Sequence, residues 1–203
     1  MQINNADVRL ILASSSVYRR ELLGRLQLPF ESIAPEIDET PHLSESPDET
    51  ALRLAQQKAE AIAATHGDAI IIGSDQVATL FGLQIGKPGN HASALGQLQT
   101  MRGHEVTFHS ALCVLDNRQD AKNRLQIQNI KTLVKMRNLS DAELNAYLHI
   151  EQPYDCAGSA KNEGLGIAII ESIKSDDPTA LTGLPLIALT GMLRNVGMRF
   201  FKL

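Results

Sequence analysis

Leu10-Ile11-Leu12-Ala13 is the first short apolar run in the chain and predicts a buried strand. Ser14-Ser15-Ser16 closes it and offers N-caps for a helix over residues 17–26, with Leu22, Leu23 and Leu26 on one face. Phe30 to Ala34 predicts a second strand. The polar, acidic, proline-punctuated stretch from Pro35 to Ser46 predicts an ordered loop. Ser46-Pro47-Asp48-Glu49 combines an N-cap, a first-turn proline and a capping-box glutamate, so a helix is expected from there to about Thr65, just before Gly67. Ala69-Ile70-Ile71-Ile72 is the clearest buried strand, and it ends in Gly73-Ser74-Asp75-Gln76.

The second half alternates in the same way. A hairpin is expected around Gly82, a turn at Gly86-Lys87-Pro88-Gly89-Asn90, and a helix over residues 91–101 stopped by Gly103. Two extended stretches, about 104–116 and 124–137, flank a polar turn at Asp116-Asn117-Arg118. Ser140-Asp141-Ala142-Glu143 is a second capping box, opening a helix to about His149. A polar, glycine-rich segment over 152–166 precedes a predicted strand at Ile167-Ala168-Ile169-Ile170, and a final helix follows Pro185. No repeat, low-complexity tract or linker interrupts the pattern, so residues 1–203 are expected to form one domain. The alternation indicates α/β, and the long consecutive strands in the middle indicate a mixed sheet.

Composition narrows the class. At 203 residues, 43% hydrophobic and 21% charged, the chain fits a soluble globular protein with one core or two closely joined lobes. A net charge of −4 gives no global attraction for nucleic acid, which is not expected as a partner. Cys113 and Cys156 are too few for a disulfide framework and lack metal-type spacing, which fits a reducing compartment. Residues Met1 to Asp7 lack the basic start and apolar core of a signal peptide, and no apolar run approaches a membrane span. A cytoplasmic location without membrane contact is the expectation.

Several polar groups occupy positions with two readings. Ser14-Ser15-Ser16-Val17-Tyr18-Arg19-Arg20 stands where a strand passes into a helix, and free backbone N–H groups make such a junction an anion site. Two arginines in that first turn oppose the helix dipole unless a phosphate compensates them; otherwise they belong to a capped surface helix. Lys58 falls within the apolar stripe of Ala51, Leu54, Ala55 and Ile62, so it either snorkels to solvent or reaches into a site. Asp75 follows the best strand, where α/β sheets bind ligands, although an aspartate there can simply end a strand. Glu36, Asp38 and Glu39 could share a hard cation or be solvated. Pro88 holds Lys87 extended, and Ala157 to Gly166 carries three glycines among polar residues, as a ligand-hugging or a flexible loop would.

Taken in order, these segments resemble the Maf family of nucleoside triphosphate pyrophosphatases, from Leu10 to about Gly197. The family's S-x-S-x-x-R-R opening matches Ser14 to Arg20, its acidic loop Asp38-Glu39-Thr40, and its helix lysine Lys58. Its catalytic aspartate falls on Asp75, its second lysine on Lys87 in Gly86-Lys87-Pro88, and its late A-G-x-x-x-x-[QE]-G segment on Ala157 to Gly164. Within the family the chain is similar to the YceF subfamily, which hydrolyses 7-methyl-GTP. The positions that carry this are Tyr18, Gln76 and Glu163. Tyr18 stands where the subfamily often has Trp, and Ala160 where an aromatic is common.

The resemblance implies a Maf/ITPase-like mixed twisted sheet with flanking helices, two lobes around a cleft, a homodimer, and a divalent cation, Mg²⁺ or Mn²⁺. It implies hydrolysis of the α–β phosphate bond, with Asp75 activating water and Glu39, with Asp75, holding the metal. Ser14, Arg19, Arg20, Lys58 and Lys87 would neutralise the triphosphate. N7-methylation makes guanine cationic, which suits an aromatic at Tyr18 and a carboxylate at Glu163. The alternatives are the same chemistry on dTTP, UTP or another modified nucleotide, or a nucleotide-sensing regulator of septum formation without turnover.

Overall fold

The computed structural model describes residues 8–119, 121 and 124–201, so the signal-peptide reading of residues 1–7 lies outside the described part. In chain order the elements are β1 (Arg9–Ala13), α1 (Val17–Gly24), β2 (Glu31–Ile33), α2 (Pro47–Ala63), β3 (Ala69–Leu80) and β4 (Leu83–Ile85). They continue with α3 (His91–Met101), β5 (Glu105–Asp116), β6 (Leu125–Met136), α4 (Asp141–Glu151), β7 (Ile170–Ser175) and α5 (Leu186–Asn195). Along the sheet the order is β2-β1-β3-β5-β6-β7, with β4 paired to β3. β1 is parallel to β2 and β3, whereas β3–β4 and β6–β7 are antiparallel. The α/β class and mixed sheet read from the sequence are therefore present.

The chain divides into two compact units, and β3, β5 and β6 each contribute residues to both. The first comprises Met1–Gln76, Ser110–Ile130 and Asp177–Leu203. Its parallel pair β1/β3 is covered on both faces, which is why both strands read as unbroken apolar runs. Leu12, Ile72, Leu23, Leu112, Leu189 and Leu193 belong to one buried cluster. Each helix has a cap. The Ser16 side chain accepts from Arg19 N in α1, and the Glu49 carboxylate accepts from Ser46 N at 2.8 Å in α2. At the start of α5, Asp177 Oδ2 accepts from Ile187 N at 2.6 Å and Ala188 N at 3.2 Å.

The second unit comprises Val77–His109 and Lys131–Asp176. Phe81 and Gly82, with φ of 53° and 80°, form the two-residue turn that joins β3 to β4, the hairpin expected around Gly82. Asn90 caps α3 by accepting from Ser93 N at 2.9 Å, and Ser140 and Glu143 form the capping box of α4.

Two expectations are corrected. Residues 167–169 are not in a strand: Leu165–Ile169 is a 3-10 helix, and β7 begins only at Ile170, the last residue of the expected run. Ile167 is 54% exposed, and a short apolar run does not by itself separate strand from helix. Asp75 does not follow its strand. β3 continues through it to Leu80, because Gly73 is accommodated within the strand rather than turning the chain.

Candidate functional site

The parallel pairing of β1 with β3 ends at Ala13↔Gly73, so Asp75 projects two residues beyond the carboxyl end of that pair while still inside β3. A ligand-binding position of α/β sheets is thus reached without a chain break. Gly73 has a specific reason. A Cβ there would overlap the Ala55 carbonyl oxygen and stand 3.0 Å from Ala59 N, so only glycine lets α2 lie this close to β3. Ala51, Leu54, Ala55, Lys58, Ala59 and Ile62 form the buried face of α2. Close approach brings Lys58, one turn from Leu54, to the strand.

Lys58 does not snorkel. It is 6% exposed, and its Nζ stands 2.6 Å from Asp75 Oδ1 and 2.8 Å from Glu39 Oε1. Asp75 is itself buried, while the Glu39 side chain is 58% exposed, so the pair reaches from the core to solvent. A buried carboxylate without a counter-ion is costly to keep, and Lys58 supplies that charge. An ammonium has three N–H donors, of which these two carboxylates take two.

Arg19 completes the group. Its Nε donates to Gly183 O at 2.9 Å, and its Nη1 donates to Ser14 Oγ at 3.4 Å. Desolvation pulls its guanidinium below the usual arginine value, with the charges of Asp75 and Glu39 opposing the shift. Ser14, 4% exposed, also accepts from Ser16 N at 3.1 Å. Tyr18 is half-buried and Arg20 exposed, on the same helix. Gln76 Nε2 faces Ser110 Oγ at 2.9 Å, Leu181 O at 3.0 Å and Ala180 O at 3.1 Å, so its donor side is committed to the 177–184 loop.

Ser14, Arg19, Glu39, Lys58, Asp75 and Gln76 therefore all belong to the first unit, whereas Lys87 and Glu163 belong to the second. Lys87 is exposed between Gly86 and buried Pro88, and Glu163 is exposed within its loop. Both cysteines are free, and burial pushes both thiols up to about 12, which leaves neither poised as a nucleophile.

Two groups of supporting residues were not anticipated. Arg53 on α2 donates to Glu45 Oε2 at 2.8 Å, Thr40 O at 3.1 Å and Gln57 Oε1 at 2.9 Å, clasping the loop that carries Glu39. Arg53 holds the Glu45 carboxyl far below its ordinary value, at about 2. Gly183, at φ 106°, presents one carbonyl to both Arg19 Nε and Ser74 Oγ, each at 2.9 Å. Asp177-Pro178 and Gly183-Leu184-Pro185 have turn composition and mark that loop in the sequence, without marking its partners.

The family model described as Maf-like protein matches residues 9–196. The chain belongs to the Maf family. A relative from Ralstonia nicotianae named 7-methyl-GTP pyrophosphatase is 66% identical to this Maf chain over 192 residues, 95% of this chain and 97% of its own length. A protein of the same name from Cupriavidus metallidurans is also 66% identical, over 97% of this chain and 98% of its own. Among solved structures, a HAM1 protein from Coxiella burnetii shares the fold of this Maf chain, with a TM-score of 0.52 at 14% identity. That match covers 93% of this chain and 99% of the other.

A divalent cation was the expected cofactor. No group of three or more His, Cys, Asp or Glu suited to a metal occurs among the described residues. The donor set nevertheless fits an oxygen-loving ion. Glu39 and Asp75 are hard carboxylate donors held near one another by Lys58, whose ammonium fills the point they share. Mg²⁺ commonly takes one or two carboxylates with the rest of its shell from substrate phosphates and water.

Proposed function

We propose that this Maf protein hydrolyses 7-methyl-GTP to 7-methyl-GMP and pyrophosphate, by attack of water on the α-phosphorus. The observation that carries the reading is the convergence of Asp75, Lys58 and Glu39 just beyond the β1/β3 pair, in a chain 66% identical to relatives named for this activity. Asp75 orients the water and accepts its proton, which requires a carboxylate held in place rather than merely present. Lys58 fixes that carboxylate and turns its remaining N–H to a phosphate oxygen. Arg19 and the first turn of α1 hold the polyphosphate by charge and backbone N–H groups. Glu39 and Asp75 are the residues that would hold Mg²⁺ or Mn²⁺, which supplies charge stabilisation at the phosphate oxygens.

Lys87 serves the leaving pyrophosphate, and Arg20 adds a weaker, exposed charge. Tyr18 and Glu163 recognise the cationic methylated base, the first through its ring face and the second through hydrogen bonds to the base edge. Gln76 contributes by fixing the 177–184 loop. The family resemblance supports a homodimer in the cytoplasm as the working form, and no described helix is long and apolar enough to cross a membrane.

The test is pyrophosphate release over 7-methyl-GTP, GTP, dTTP and UTP, with Mg²⁺, Mn²⁺ or chelator, in ¹⁸O-labelled water. The expected result is fastest release from 7-methyl-GTP, dependence on added metal, and label in the nucleoside monophosphate. Preference for dTTP or UTP would overturn the base assignment. Binding without turnover would favour the sensing role.

A further inference from the structure

Gln97 stands on α3 and is half-buried. Its Nε2 donates to Gly86 O at 3.0 Å, and its Oε1 accepts from Ser159 Oγ at 2.9 Å. Both partners fix the orientation of this amide, because a carbonyl can only accept and Gly86 O must therefore face the NH₂. Gly86 adjoins Lys87, and Ser159 opens the loop that leads to Glu163. One side chain thus ties together two motif loops that are far apart in sequence.

Other contacts leave the bridge a definite task. A cavity of about 340 Å³, lined by Gly86, Leu80, Gln84, Ile85, Gln97 and Thr100 among others, lies between the Gly86 turn and α3, so the Gln97 bond crosses a gap that side chains do not fill. Beyond Lys87 the chain is held again by Gly89 N donating to Tyr154 O at 2.9 Å. Ser159 is fully buried at φ 55°, a left-handed conformation that a non-glycine residue keeps only when its surroundings impose it. Tyr147 Oη donates to its carbonyl at 3.0 Å, and Gln97 holds its hydroxyl.

We infer that Gln97 is a positioning residue that sets the Lys87 turn and the Glu163 loop together. This rests on the proposed pyrophosphatase function for its catalytic consequence, but its structural content stands alone. Three variants separate the two arms. Gln97→Ala removes both bonds. Gln97→Glu keeps an acceptor for Ser159 but turns an oxygen against Gly86 O. Ser159→Ala removes only the second bond.

The test combines amide hydrogen exchange, melting temperature and steady-state kinetics on 7-methyl-GTP and GTP. Faster exchange is expected at residues 86–89 in Gln97→Glu, at 157–164 in Ser159→Ala, and at both in Gln97→Ala, with little change in melting temperature. The Lys87 arm should lower kcat about tenfold, and the Glu163 arm should lower the preference for 7-methyl-GTP. Exchange within twofold of wild type in either loop of Gln97→Ala would overturn the bridge, and loosened loops with unchanged kcat and preference would overturn its positioning role in the reaction. A wild type without turnover would sink the pyrophosphatase reading, while the exchange pattern would still decide the bridge.

Discussion

The Lys58 ammonium stands 2.6 Å from Asp75 Oδ1, and both side chains are buried. The contact joins a helix to a strand, so it depends on how closely α2 lies over β3. It also places a carboxylate with its counter-charge at a point where the parallel pairing has just ended. The remaining features of the site follow from holding that pair.

Gly73→Ala places a Cβ against the backbone of Ala55, which no rotamer change can relieve. α2 must shift, at a cost of about 2–3 kcal/mol, and Lys58 moves away from Asp75. Chemical denaturation should show that loss of stability, together with a fall in turnover larger than the unfolded fraction explains. Unaltered activity in the folded variant would mean that the helix–strand distance does not control the pair.

Lys58→Ala leaves Asp75 buried without its counter-ion and should cost about 3 kcal/mol, read as a lower urea midpoint. Asp75→Ala/Lys58→Ala should be more stable than Lys58→Ala alone, because the stranded charge is gone. Additive losses in the double variant would show that the two groups are not coupled.

The acidic loop has its own pH signature. Arg53 lowers the Glu45 carboxyl from 4.5 to about 2 in the folded protein, so the stabilisation is complete above pH 4.5 and is lost as pH falls toward 2. The difference in stability between wild type and Glu45→Gln should be largest near neutrality and shrink across that window. A difference that stays constant down to pH 2 would contradict the Arg53–Glu45 bond.

Much of this arrangement was legible in the sequence, for physical reasons that differ by residue. Leu10 to Ala13 and Ala69 to Ile72 read as strands because burial on both faces leaves no polar positions. Ser46/Glu49 and Ser140/Glu143 announced their helices through side chains that satisfy backbone N–H groups. Gly73-Ser74-Asp75 has the composition of a turn, so the sequence alone points to a strand end at Asp75, where β3 in fact continues. An isolated glycine in a strand can also mark close backbone approach, and here it accommodates α2. The Arg53 clasp on Glu45 and the shared Gly183 carbonyl were not legible, since partners distant in sequence leave no periodic trace.

Glu163→Gln should reduce the preference for 7-methyl-GTP over dTTP, since an amide keeps the acceptor but loses the charge that a cationic base favours. The ratio of kcat/KM for the two nucleotides is the measurement. An unchanged ratio would remove Glu163 from base recognition.

The most direct measurement is single-turnover hydrolysis of 7-methyl-GTP by Asp75→Asn beside wild type, with nucleotide binding measured on the same preparations. The expected result is binding retained within about tenfold and pyrophosphate release reduced by about 10²–10⁴-fold, the range that loss of a general base produces. Asp75→Asn that binds and turns over 7-methyl-GTP at the wild-type rate would contradict the assignment of Asp75 as the group that activates water.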